Sequence, residues 1–587
     1  GIPVTITGHD NVHGVYASGE SVNLTTSTTK GTWSRILQGS GTLTSVSAQG
    51  DNGAATYTFP PGESSVTLLF NHTVEAQVPD LVNVNVAGVT SGAIEVEDPD
   101  MTIVEAGFAF YNETQGDYQI RTQIAGKPSS TDPRGDLIAL QAVRSSDNDP
   151  LQCAPLFDAG QTLEVELAAE CSDPAACAAG TSFSVNGENI SVVNSNSAAN
   201  AAAYTPVTLD FITQPSGDPG ATIVTNYSDV GVMQLHARYN IPFGFFGDTN
   251  PVIGGAIVPD DPTSELSDDY MYGSSNTFVV RPFALSVDFE SGDGPIVADR
   301  DTGTNQSVAA DEDGSLYRKA GENFAALVSS VAWQAADDCN LDGQPDDGSE
   351  VDGMSQSCDE ADLLDNPVTP GFYRDSQGLL NAYRIKLDVV SNQAENDGGV
   401  RGVLDSDILN RSNFANYGVD GVGRLETNYN EVGIIDIDAE LVDFSEDPTT
   451  YLSTDAVIGR AKDVGRFYPE RFDIVNVSLT PRVEASCSPP STFTYMGEPF
   501  GLNIELVARN VQGQTTENYR AGFAKLDEYD DLNLKAIEEV TGNDNNDLTV
   551  RLSNDTMPAT YQAQWSAVNG GELELEGNVI FERANPA

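Results

Sequence analysis

Ser65-Val66-Thr67-Leu68-Leu69-Phe70 and, further on, Leu81-Val82-Asn83-Val84-Asn85-Val86 alternate apolar and polar side chains with a period of two. A strand that buries one face and wets the other requires this pattern, because successive side chains leave the backbone on opposite sides. Upstream, Ser21-Val22-Asn23-Leu24-Thr25 and Ala55-Thr56-Tyr57-Thr58-Phe59 repeat it with residues suited to a pleated, half-buried surface. Gly, Asn, Asp and Pro punctuate the runs at short intervals, as turns demand. Residues 1–95 therefore read as one immunoglobulin-like sandwich, with Trp33 filling its core.

The same signal continues outward. A β-rich domain over 96–285 follows the acidic turn Glu97-Asp98-Pro99-Asp100 and carries Thr162-Leu163-Glu164-Val165-Glu166-Leu167 and Thr277-Phe278-Val279-Val280. Residues 286–472 form a third, less regular β-rich domain. Within it, Ala320 to Ala336 fits a strand or a helical face through Phe324, Leu327, Val328 and Val331; we read the region as strand-dominated. Residues 473–587 alternate again, at Leu502-Asn503-Ile504-Glu505-Leu506-Val507 and Val579-Ile580-Phe581, and read as a second immunoglobulin-like sandwich, with a short helix expected over Asp527 to Glu539. The fold class is mainly β: several immunoglobulin-like β-sandwich domains in tandem with irregular acidic loops.

Charge narrows the function classes. Against 88 Asp and Glu stand 28 Lys and Arg, a formal net charge of -60. Phosphate backbones and anionic membrane surfaces are repelled by such a chain, so neither nucleic acid nor membrane insertion is expected. No apolar run reaches the roughly 18 residues of a membrane span. Gly1-Ile2-Pro3-Val4 shows no charged region followed by a hydrophobic one, so export would rest on a leader already removed or on a longer precursor. A salty exterior suits this charge, because ions screen self-repulsion and divalent cations bridge carboxylates.

Six cysteines are too few to build a fold but suffice for local staples in an oxidising compartment. Cys171 and Cys177 bracket a five-residue loop, and Cys339 and Cys358 an acidic one; both read as disulfide clamps, while Cys153 and Cys487 stay unassigned. Inside the second clamp lies the one strong chemical motif, Asp338-Cys339-Asn340-Leu341-Asp342-Gly343-Gln344-Pro345-Asp346. Oxygen ligands at relative positions 1, 3, 5 and 9, with Gly at 6 and the Gln344 carbonyl at 7, are the first three-quarters of a calcium loop. Ser349 stands where a bidentate Glu would close an EF-hand, so Asp347 or Glu350 would have to complete the shell. The metal-ligand candidates are thus Asp338, Asn340, Asp342, Gln344 and Asp346, and the cofactor is calcium.

Other constellations are weak. His9, Asp10 and His13 lie in an extended segment where two imidazoles need not converge on zinc. Arg134-Gly135-Asp136 is a tripeptide that chance supplies freely. No nucleophile elbow, phosphate-cradling loop or Cys-His pair stands out among four histidines, so no catalytic residue is assigned and the chain is read as a non-enzyme.

Several phrases in shared order carry a family resemblance: Leu24-Thr25-Thr26-Ser27-Thr28-Thr29-Lys30-Gly31-Thr32-Trp33, Glu170-Cys171-Ser172-Asp173-Pro174-Ala175-Ala176-Cys177, Glu431-Val432-Gly433, Val464-Gly465-Arg466-Phe467-Tyr468-Pro469-Glu470-Arg471-Phe472 and Asn518-Tyr519-Arg520-Ala521-Gly522-Phe523. Together they resemble bacterial MSHA-pilus biogenesis proteins of the MshQ type, secreted and associated with type IV pili. The resemblance implies a place on the bacterial cell surface and supplies no catalytic residues. The bottom-up role of Phe467, Phe472, Tyr495 and Tyr519 is packing.

The function expected is that of an extracellular adhesin or structural subunit of a bacterial surface filament or pilus, non-catalytic and calcium-stabilised. Its partners would be copies of itself, other filament subunits or surface glycans. The alternative is a carbohydrate-binding module or glycan-active enzyme, with Tyr270 and Tyr272 exposed for stacking on sugar rings.

Overall fold

The computed structural model describes residues 2–8, 19–27, 31–45, 53–71, 80–91, 101–103, 106–131, 135–145, 153–194, 204–240, 270–290, 308–314, 316–352, 354–374, 383–481, 494–526, 534–537, 547–553, 562–565 and 570–583. His9, Asp10, His13, Arg134, Cys487 and most of Asp527 to Glu539 lie outside them. The chain divides into two compact units: one spans Gly1–Arg281 with Leu341–Gly343 and Arg374–Gln377, the other holds the remainder.

The first unit opens with the sandwich that the alternation demands. Ile2–Thr7, Ser65–Asn71 and Thr32–Gln38 make one antiparallel sheet; Thr42–Ser45, Ala55–Thr58, Ser21–Thr26 and Val84–Gly88 make the other. Leu24, Trp33, Tyr57, Leu68, Phe70 and Val84 share one core. Trp33 sits 4.8 Å from Phe70 between ring centroids and satisfies its indole N–H on the Gly53 carbonyl at 3.1 Å, so a large ring is buried without an orphaned donor.

Beyond it, a 13-stranded sheet runs through Ala106–Asn112, Ile138–Ser145, Thr205–Thr213, Gln161–Asp173 and Gly231–Asn240. Gln161–Asp173, Gly231–Asn240 and the adjoining Tyr270–Ser274 are buried over much of their length. They carry the polar row Glu170, His236 and Ser274, whose groups lie side by side on neighbouring strands. His236 Nε2 faces Glu170 Oε2 at 3.0 Å and Nδ1 faces Ser274 Oγ at 2.8 Å, so two buried polar side chains satisfy each other. Tyr272 is buried in the same sheet, against the expectation of an exposed sugar platform. Its neighbour Tyr270 lies 4.8 Å from the Arg238 guanidinium, a cation–π contact that occupies the ring face.

In the second unit, Ala284–Phe289, Asn323–Val331 and Val422–Asn428 form a sheet, so the ambiguous Ala320 to Ala336 segment is a strand over its centre. Burial on both faces explains the misleading periodicity: Phe324, Leu327, Val328 and Val331 are all inside. A second sheet orders Ile408–Leu409, Arg384–Asn392, Gly433–Val442 and Ile458–Phe467. Gly459 is required where it crosses Ala284–Phe289, because a Cβ there would meet the Leu285 carbonyl oxygen at 1.7 Å. The last sheet joins Arg471–Thr480, Pro499–Arg509, Glu572–Phe581 and Leu552–Ser553, with Gln562–Trp565 on Glu572–Phe581. The described residues of the expected Asp527 to Glu539 helix, Leu534 to Ile537, are not helical; Ile537 bridges Asp547 instead. Phe467 and Tyr519 pack as expected, whereas Tyr495 is 58% exposed and Phe472 lies half in solvent beside Tyr519 and Trp565.

One polar cluster fastens the second and third of these sheets. Asn518 donates to the Val400 carbonyl at 2.7 Å and the Val432 carbonyl at 3.0 Å, and its Oδ1 accepts from Val400 N at 2.6 Å. Asn392 Nδ2 donates to Tyr429 Oη at 2.6 Å. At the centre, buried Glu431 accepts from the backbone N–H groups of Glu517 and Asn518, each at 3.2 Å, and of Val432 at 3.3 Å. Burial pushes its carboxyl up to about 7, against the three N–H groups that pull it down.

Two outcomes follow. Leu68→Ala in the first sandwich core should cost about 3 kcal/mol in urea unfolding, the usual scale for a fully buried leucine; a cost under about 1 kcal/mol would show that the site is not core. Because the Glu431 carboxyl titrates higher folded than its ordinary 4.5, its stability contribution is fully present below about pH 4.5 and is lost as pH rises toward 7. Glu431→Gln should therefore flatten the decline in stability between pH 5 and pH 8, and an unchanged slope would assign that decline to other groups.

Candidate functional site

Two backbone turns shape the acidic loop. Leu341 at φ 60 and Gly343 at φ 85 take left-handed conformations, so the chain curls through the segment that the sequence marks as metal-binding. The clamp forms: Cys339 and Cys358 are bonded with their Cα atoms 5.9 Å apart, and the closed loop is laced by Cys358 N to Glu350 O at 2.9 Å and Asp352 N to Gln356 O at 2.8 Å. Cys171 and Cys177 are bonded as well, 5.6 Å apart at Cα. Cys153 is exposed and carries a free thiol.

The five candidate ligands are disposed unevenly. Asp338 is fully buried, and its Oδ2 accepts from the Trp333 indole at 2.6 Å. Asp346 is buried too; its Oδ2 accepts from Cys339 N at 2.8 Å, while its Oδ1 has no hydrogen-bond partner. Asn340, Asp342 and Gln344 are half-buried. Asp342 falls with the first unit, together with Leu341 and Gly343, whose carbonyls accept from Lys127 Nζ at 3.0 Å and Arg281 at 2.8 Å.

Among the described residues the three side chains that converge within 4.8 Å are Asp346, Cys339 and Cys358, and the two sulfurs are bonded to each other, so they offer no thiolate. Among the described residues no three carboxylates meet that closely. The fit to calcium is consequently partial. The donors are hard oxygens on a turn with the right glycine, and the buried Asp346 Oδ1 is an acceptor that a cation would satisfy, but the carboxylates would have to draw together to enclose one. Next to the loop, burial raises the Asp337 carboxyl, while the Ser349 hydroxyl and N–H hold the exposed Asp347 below the usual carboxylate range.

The other tripeptide of interest is settled by burial. Asp136 is inside, with its carboxylate engaged by Arg121 Nε at 2.7 Å and Gln123 Nε2 at 3.1 Å, so it is not offered to a receptor.

Sequence reasoning missed a second acidic feature. Asp346 and Asp347 from the clamped loop and Glu360 just beyond it share a cavity of about 300 Å³ with Asp388, Asp438 and Glu440 from two adjacent strands. The signal was present as the period-two stripe Asp436, Asp438, Glu440 on Gly433–Val442, but nothing local says that this stripe faces the loop.

Comparison with known proteins gives three family matches. The model described as the domain of unknown function DUF6701, first Ig-like domain, matches residues 89–252; the second DUF6701 domain matches 281–423 and the third 431–586. No curated protein matches. Among solved structures, a putative membrane anchored protein from Corynebacterium diphtheriae aligns over 100% of this chain and 90% of its own at 7% identity with a TM-score of 0.15. Domains 1–6 of the surface layer protein SbsC align over 96% of this chain and 63% of their own at 10% identity with a TM-score of 0.12. Likenesses this faint carry no argument. The three DUF6701 domains follow one another in order and together cover well over half of the chain, which therefore belongs to the DUF6701 family, with an Ig-like first domain.

Proposed function

We propose that this chain is a non-catalytic structural subunit or adhesin of a bacterial surface filament, held outside the cell, stiffened by calcium and joined to further copies of itself through an open sheet edge. Tandem β domains, two disulfides and a net charge of -60 suit an oxidising, salty exterior.

The observation that carries the reading is the Arg471–Thr480 strand. Among the described residues it has a neighbour on one side only, Pro499–Arg509, and Ile474, Val477 and Leu479 are 63%, 54% and 60% exposed. A ten-residue strand paired along one side only among the described residues, with exposed apolar side chains, is a template for another strand, and folded proteins usually blunt such edges. Among the described residues nothing pairs with its other side. Its charged residues, Arg471 and Asp473, pair with each other at 3.1 Å, so the edge is locally neutral in a strongly acidic chain. A second copy can dock there by strand addition with little local repulsion. Calcium at the acidic loop would rest on Asp338, Asn340, Asp342, Gln344 and Asp346, supplying a hard cation that holds the clamped loop closed.

Light scattering across a concentration series should show association that grows with salt, as screening weakens long-range repulsion, and Val477→Lys should abolish it. A wild-type chain that stays monomeric at high protein and salt concentration would refute the joint. Calcium should raise the melting temperature of the wild type and leave Asp338→Asn/Asp342→Asn unmoved; equal response of both would remove the loop from the reading.

A further inference from the structure

The acidic cavity beside the clamped loop has a composition that selects a different ligand from calcium. It lies wholly in the second unit, between residues 345–363 and the strands Arg384–Asn392, Gly433–Val442 and Ile458–Phe467. Six carboxylates line it. Three of them are answered: Lys462 pairs with Glu360 at 2.6 Å, Lys386 with Asp388 at 3.1 Å, and Arg460 with Asp438 through two contacts, the longer at 3.0 Å. Six acids against three bases leave the lining net negative, with Arg460 and Lys462 also acting on Asp347. Asp346 is the telling member: the residue is only 3% exposed, lines the cavity, and keeps Oδ1 without a hydrogen-bond partner. A buried carboxylate without an ion pair is costly, so Asp346 adds negative charge to the wall of the cavity.

The rest of the lining says which cation. Calcium needs six to eight oxygens gathered around one point, and among the described residues no three carboxylates approach within 4.8 Å of one another here. Leu363, Val390 and Ile458 instead put aliphatic surface between the charges. Dispersed carboxylates over an aliphatic wall match a primary ammonium on a methylene stem, which buries its chain while its head meets the acids. We infer that this cavity binds an alkylammonium group, carried by a free diamine or by a lysine side chain of another protein segment. The cavity shares Asp346 and Asp347 with the loop read for calcium, whereas Glu360, Asp388, Asp438 and Glu440 lie outside that loop.

Calorimetric titration of the whole chain at physiological salt, first with cadaverine and then with a short acetylated peptide containing one lysine, tests the inference. Saturable one-to-one binding is expected. Glu440→Gln should weaken it about tenfold, and Glu440→Lys, which places an ammonium in the cavity, should abolish it. Asp397→Asn, an exposed acid elsewhere, should leave it unchanged and so exclude diffuse attraction to a -60 chain. Tighter binding of the peptide would identify a protein partner as the source, and tighter binding of cadaverine a free amine. Equal affinity in the wild type and both Glu440 variants would overturn the site. So would calcium displacing the amine equally from the wild type and from Asp342→Asn, because the cavity would then hold the metal; melting curves of the variants verify their folding.

Discussion

Apolar side chains on one face of each strand, pressed against the apolar face of another, hold every domain of this chain together. In the first sandwich the contact is Trp33 against Phe70 with Leu24, Tyr57 and Leu68 around them. In the second unit it is an aromatic nest in which Phe372 meets Tyr373, Tyr383, Phe414 and Tyr451 at centroid distances of 4.6 to 5.9 Å. Burial of this kind is non-directional and scales with area, so it tolerates an acidic exterior provided that the charges stay on the wet faces. Among the described residues most of the carboxylates do so.

The exceptions carry the specificity. Glu431 goes inside, and three backbone N–H groups gather round it. Asn518 and Asn392 then satisfy the loops that meet there, so two sheets are fixed by directional bonds where apolar packing alone would allow sliding. Asp136 is drawn in by Arg121, and Glu170 by His236. These three buried acids are answered, whereas Asp346, whose Oδ1 has no hydrogen-bond partner, lines a cavity.

Geometry also separates two acidic features that composition merges. The clamped loop has the ligand types of a calcium turn with its carboxylates still apart. The neighbouring cavity has carboxylates spread along aliphatic walls. Hard point charges favour the first arrangement and long amphipathic cations the second. The exposed Arg471–Thr480 edge is a third, neutral feature, paired on one side only among the described residues.

The sequence by itself determined the fold class, the strands with clean alternation, the core role of Trp33 and both disulfide clamps, because period two and short Cys spacing are local properties that survive without knowledge of partners. It left Ala320 to Ala336 open between strand and helical face, because burial on both faces erased the alternation, and it misjudged Tyr272 and Tyr495, whose exposure depends on what the rest of the chain lays over them. Only the tertiary structure decided that Asp438 and Glu440 face Asp346, that Glu431 lies inside, and that Arg471–Thr480 is left at an edge. Those facts come from which strands pair and which faces meet, and strand pairing joins residues far apart in the chain, where local pattern holds no record of the neighbour.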